Sequence, residues 1–84
     1  MDTTTLFGQV KDEAGLPLAG AVVTVGSASD ITEADGLFLL PMIKVPEKRA
    51  VIVARKSGYY DSSRAEPVGR NGTMRELLLV LFRR

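Results

Sequence analysis

The sequence predicts an all-β fold: one sandwich of about seven antiparallel strands joined by Greek-key connections. Three observations carry this. Apolar residues come in short runs that alternate at the two-residue period of a pleated strand. Gly, Pro, Asp or Asn interrupt these runs about every ten residues. No segment holds a 3.6-residue apolar period long enough for an ordinary helix. With 84 residues the chain is a single small domain, and its 45% apolar and 25% charged residues give a globular composition.

Leu6-Phe7-Gly8-Gln9-Val10-Lys11 reads as the first strand and Asp12-Glu13-Ala14-Gly15 as its turn, with Gly15 supplying a positive φ. Leu16 to Gly20 is an extended connection. Ala21 to Val25 is β-branched and reads as a strand that ends in a loop over Gly26–Ser29. Asp30 to Leu40 reads as a hairpin turning at Ala34-Asp35-Gly36, and Pro41, which cannot donate to a ladder, stops the returning strand. Met42 to Arg49 is then a connecting loop. Ala50 to Arg55 is the most hydrophobic and most central strand, ended by Ser57-Gly58. Tyr59 to Pro67 is a polar, ragged edge strand. Asn71-Gly72 marks a turn within Val68–Gly72, and Thr73 to Phe82 is the last strand.

Composition narrows the chemistry. The chain has neither cysteine nor histidine, which removes thiolate nucleophiles, disulfides, the imidazole base and the usual zinc or haem ligands. Without a base, Ser57, Ser62 and Ser63 are not candidate nucleophiles. No catalytic residue, metal ligand or cofactor is expected. The net charge of +1 gives no electrostatic case for nucleic acid. Its distribution is uneven: residues 1–42 carry six acids and one base, residues 43–84 ten bases and four acids. The acids sit beside Gly and Pro, where they mark turns. Met1-Asp2-Thr3-Thr4-Thr5 does not resemble a signal peptide, and Leu77 to Phe82, the longest apolar run, is far short of a membrane span. No membrane insertion is expected.

Four ordered blocks carry a resemblance. Gly8-Gln9-Val10-Lys11-Asp12, then Gly15-Leu16-Pro17-Leu18-Ala19-Gly20-Ala21-Val22-Val23-Thr24-Val25, then Thr32-Glu33-Ala34-Asp35-Gly36-Leu37-Phe38, then Gly58-Tyr59 resemble the carboxypeptidase regulatory-like domains over about residues 6–60. The resemblance implies a transthyretin-like, Ig-like seven-stranded sandwich serving as a non-catalytic accessory domain, and it favours an extracytoplasmic or cell-surface setting. Such domains sit beside peptidases, at the N-termini of outer-membrane receptors and in secreted proteins. Two related chemistries do not carry over. Hydroxyisourate hydrolases use histidines and a C-terminal Tyr-Arg-Gly-Ser that this chain lacks. Isopeptide-forming Cna B-like domains need a Glu on the middle strand, where Val53, Ala54 and Arg55 stand here.

Period two also shows what should face outward. If Leu6, Gly8 and Val10 point inward, Phe7 points out; likewise Val22, Leu37 and Leu39 point out, and the central strand presents Val51 and Val53. A solvated face would carry Thr, Lys or Glu at these positions. Phe7, Val22, Leu37, Leu39, Val51 and Val53, with the last strand, are therefore expected to form one apolar outer face that covers a partner: a neighbouring domain, a protein subunit or a second copy in a homodimer. Self-association as a structural subunit would draw on Leu78, Val80 or Phe82. The alternative is a carbohydrate- or calcium-binding module using the hairpin loops. Asp30, Thr32, Glu33 and Asp35 are its oxygen ligands, though turn chemistry accounts for them as well, and Phe7, Tyr59 and Tyr60 are its exposed rings.

Overall fold

The computed structural model describes residues 2–45, 49–67 and 73–84. Seven strands run in the order β1 (Asp2–Asp12), β2 (Val22–Val25), β3 (Ala28–Ile31), β4 (Leu37–Val45), β5 (Arg49–Arg55), β6 (Ser62–Pro67) and β7 (Thr73–Leu81). They form a three-stranded sheet, β4-β1-β7, packed on a four-stranded sheet, β3-β2-β5-β6. The fold is the all-β, seven-stranded Ig-like sandwich that the alternation predicts.

Alternation sorts the core. Leu6 and Val10 of β1, Val23 and Val25 of β2, Phe38 and Leu40 of β4, Ala50, Ile52 and Ala54 of β5, and Leu77, Leu79 and Leu81 of β7 all turn inward and are buried. Leu18, Ala21 and Tyr59 plug the gaps between sheets from the connections. Gly8 lies on the same inward row and is paired with Leu77; a Cβ there would run into the Leu77 backbone, so close approach of β1 and β7 requires glycine.

Five expectations are corrected. The sandwich is mostly, not wholly, antiparallel: β1 and β7 pair in parallel from Thr4↔Thr73 to Asp12↔Leu81. Strands brought together by crossovers, not by a turn, are free to run in parallel. Asp30 to Leu40 is not a hairpin, because β3 and β4 belong to different sheets. The turn at its tip is real: Gly36 N donates to Glu33 O at 2.8 Å, Gly36 has φ 76°, and a Cβ there would stand 2.6 Å from Val10 O. It carries the chain across the sandwich.

Pro41 does not end its strand, and residues 42–45 continue β4. Leu6 pairs with Leu40 but Thr4 with Ile43, so two residues, Pro41 and Met42, oppose Thr5 in a β-bulge. A bulge is where a strand tolerates a residue without an N–H. The Gly26–Ser29 loop is shorter than expected: Ala28 and Ser29 already pair with Val25 and Thr24. Cross-strand pairing overrides their weak β-propensity. The edge strand begins at Ser62, and Tyr59 sits outside it in an isolated bridge to Arg83. The expected turn over Val68–Gly72 lies outside the described residues.

Candidate interaction surface

β1 is the middle strand of its sheet, so its outward side chains are flanked on both sides. Phe7 stands beside Leu39 and Glu76, Gln9 beside Leu37 and Leu78, and Lys11 beside Val80. These rows place five apolar side chains, Phe7, Leu37, Leu39, Leu78 and Val80, on one outer surface. Leu37, Leu39 and Leu78 are 50%, 49% and 53% exposed. The alternation of β7 carries the row on to Phe82, and Tyr60 N donates to Phe82 O at 2.8 Å, which brings the exposed Tyr60 alongside.

The six residues expected on one face are split between two. Phe7, Leu37 and Leu39 lie outside the three-stranded sheet. Val22, Val51 and Val53 lie outside the four-stranded sheet, on the opposite side of the sandwich, where Val22 pairs with Ile31 and Val53 with Thr24. Alternation tells which way a side chain points from its own strand, and it is blind to which sheet that strand joins. Both faces are mixed: Gln9, Lys11 and Glu76 share the rows of the first, and Thr24, Arg55 and Ser63 those of the second. Two members of the first face, Leu78 and Val80, were legible only as a doubly apolar run until Leu77, Leu79 and Leu81 proved to be the inward set.

The loop oxygens do not converge. Asp30 lies across the gap between β3 and β4: its Oδ1 accepts from Ile31 N at 2.9 Å and its Oδ2 from Leu39 N at 2.8 Å. Asp35 Oδ1 accepts from Leu37 N at 3.0 Å. Thr32 is buried; its hydroxyl donates to Leu18 O at 2.6 Å and accepts from Ala21 N at 2.9 Å. Each group serves the backbone, and among the described residues no cluster of three acidic side chains stands close enough to hold a metal ion. Beside Asp30 the outer surface dips into a groove of about 510 Å³, walled by Phe7, Ile31, Leu37 and Leu39 with Glu33 at its rim.

Of the three expected exposed rings, Tyr60 is open, Phe7 is half-buried and Tyr59 is buried. The hydroxyl of Tyr59 accepts from Arg83 at 3.2 Å, and the same guanidinium lies 5.6 Å from the ring centre. That hydrogen bond holds the Arg83 guanidinium above its usual pKa. A flat sugar platform would need adjacent free rings. Tyr60 and Phe82 are the exposed pair, and Tyr60 already has Arg84 at 5.6 Å.

No family model matches this chain, and no curated protein matches it. Solved structures share the fold. A chain of a type II cohesin–X-dockerin complex from Acetivibrio cellulolyticus aligns with a TM-score of 0.75 and 15% identity, over 95% of this chain and 58% of its own length. 3-Chlorocatechol 1,2-dioxygenase from Rhodococcus opacus 1CP aligns with a TM-score of 0.72 and 13% identity, over 99% of this chain and 61% of its own. The Caf1A usher C-terminal domain, whose conserved surface hydrophobic clusters are important for F1 antigen assembly, aligns with a TM-score of 0.51 and 16% identity, over 94% of this chain and 97% of its own. This chain spans less than two thirds of the cohesin–X-dockerin and dioxygenase chains. An assembly protein, a complex and an enzyme sharing one sandwich at such identities speak for fold alone.

Proposed function

We propose that this domain is a non-catalytic accessory module of a larger protein or assembly, and that it acts by burying the outer face of the β4-β1-β7 sheet against a protein partner. The observation that carries this is the row set of Phe7, Leu37, Leu39, Leu78 and Val80, in which large exposed apolar side chains outnumber Gln9, Lys11 and Glu76 among them. A chain without histidine or cysteine, whose loop carboxylates are engaged with backbone N–H groups, favours recognition over catalysis.

The finer reading is a carboxypeptidase regulatory-like domain, in an extracytoplasmic or cell-surface setting. Its support is the way two of the resembling blocks lock together. Thr32 of one block bonds Leu18 and Ala21 of the other, Gly36 takes the positive φ, and Phe38, Leu18 and Ala21 are buried.

Sedimentation equilibrium over a wide concentration range, with an apolar dye as second probe, tests the surface. Leu39→Lys and Leu78→Lys, with the fold retained, are expected to abolish dye binding and any reversible association, while Val51→Lys on the opposite face changes neither. A strict monomer that binds no dye leaves a spacer domain and overturns the proposal.

A further inference from the structure

A sandwich of three strands over four has one strand position unfilled, and the position can be located. On the β3 side the sheets meet, because Asp30 of β3 bonds Leu39 N of β4. On the β6 side the printed link is a single long side chain, Arg64, reaching the carbonyl of Leu78. Ser62, Arg64 and Glu66 of β6 share the face of the buried Ala54, Ile52 and Ala50, to which they pair. Yet Arg64 is exposed, and Ser62 and Glu66 are only half-buried. The inner face of β6 is thus a polar shelf beside β7, and among the described residues no further strand pairs with β7 above it.

The four sheet edges are unequal. Over the first half of β4, Leu37 to Pro41, the outward N–H groups are occupied or absent: Asp35 takes that of Leu37, Asp30 takes that of Leu39, and Pro41 has none. β3 has only four residues, and β6 ends in Pro67. β7 is nine residues long. Its carbonyl at Leu78 accepts from Arg64 Nη1 at 2.8 Å, so Glu76, Leu78 and Val80 present their backbone groups to the open side, since N–H and C=O of one strand residue point the same way. Among the described residues, no side chain bonds the N–H of any of these three. The side chain that covers this edge among the described residues is Arg64, itself paired with Glu66.

We propose that the β7 edge takes up an extended segment of a partner protein by strand addition, filling the place above the β6 shelf. Geometry fixes the chemistry of the segment. Its outward side chains, level with Leu78 and Val80, are apolar and widen the apolar face. Its inward side chains lie over Ser62, Arg64 and Glu66, and the one over Arg64 is a hydrogen-bond acceptor, because the new ladder competes for Leu78 O and displaces Arg64 Nη1 while Nε stays with Glu66. The pattern is apolar–acceptor–apolar. A second copy joined β7 to β7 does not fit, since the shelf of each copy falls where the four-stranded sheet of the other already lies. The proposal rests on the reading of this domain as an interaction module, and it concerns an edge where that reading concerns a face.

The probe is a nine-residue peptide of alternating valine and threonine with one central aspartate on the threonine side, added to the whole chain labelled for amide exchange. The amides of Glu76, Leu78 and Val80 are expected to gain about tenfold protection while those of Leu37 and Leu39 do not change, and lysine in place of the aspartate is expected to weaken binding about tenfold. Glu76→Pro removes one outward N–H without touching the β1 ladder and is expected to lose the peptide; Leu39→Lys is expected to keep it. No protection at millimolar peptide, protection confined to Leu37 and Leu39, or undiminished binding by Glu76→Pro overturns the proposal. Should Glu76→Pro fold poorly, the exchange pattern of the unsubstituted chain decides the same question. Loss of dye binding by Leu39→Lys with the peptide still bound separates the two surfaces.

Discussion

Along one side of the sandwich, β3 meets β4 and side chains tie the backbone across the gap. Asp30 bonds Leu39, Thr32 bonds Leu18 and Ala21, and Gln9 Nε2 donates to Asp35 O at 2.7 Å. Along the other side, β6 runs beneath β7 and Arg64 reaches up to a single carbonyl. Both sides face the same problem of unpaired strand edges. One spends its polar residues on consuming donors from within; on the other, among the described residues, no side chain takes the N–H of the exposed Leu78 or Val80. A small domain without disulfides gains stability from the first arrangement, and the second is where we propose a partner segment adds.

That contrast can be broken at four places. The largest effect is expected at Gly8→Val, whose side chain would force β7 off β1. A loss of about 3 kcal/mol in thermal melting fits a β7 held firmly along its inner edge; a loss near zero would mean that β7 rides loosely on the sheet and that the two sides differ in rigidity as well as bonding. Thr32→Val keeps the shape but orphans Leu18 O and Ala21 N, and the urea midpoint should report about 2 kcal/mol. Asp30→Ala uncovers the Leu39 N–H, with an expected cost of about 1 kcal/mol. Its sharper readout is faster hydrogen exchange at Leu39 with Glu76 unaffected. The smallest change belongs to Arg64→Ala, about 0.5 kcal/mol, because the Arg64 side chain is half solvent-exposed. If Arg64→Ala cost more than Thr32→Val, the sides would have been ranked the wrong way round.

Much of this was legible from residue order. The inward set of β1, β2 and β4 follows from period two, and Gly36 marks the turn between Glu33 and Leu37. What escaped has physical reasons. Parallel pairing of β1 with β7 leaves no local signal, because it is set by how many times the chain crosses between sheets. Pro41 reads as a stop unless the partner strand is known to offer a single residue, Thr5, opposite two. Tyr59 reads as exposed since it stands among Gly58, Tyr60 and Asp61, yet Arg83 from the far end of the chain folds over it. Thr32 resembled one oxygen among several in a loop, and its role as a bridge between two connections appears only when Leu18 and Ala21 come near. The face itself was half legible: the outward apolar residues were right strand by strand, and their division between two sheets was hidden.

The parallel pair has one more consequence. A nascent chain leaves the ribosome at about 5–20 residues per second, so β1 waits on the order of several seconds before its right-hand neighbour exists. During that interval it is half a sheet, with Phe7 and Leu6 on show and one ladder unformed. Closure joins positions separated by about the whole length of the domain, the kind of contact that makes folding slow. The strand that finally shields β1 is the same one at whose far edge we propose strand addition, so late arrival and partner docking would fall on a single element.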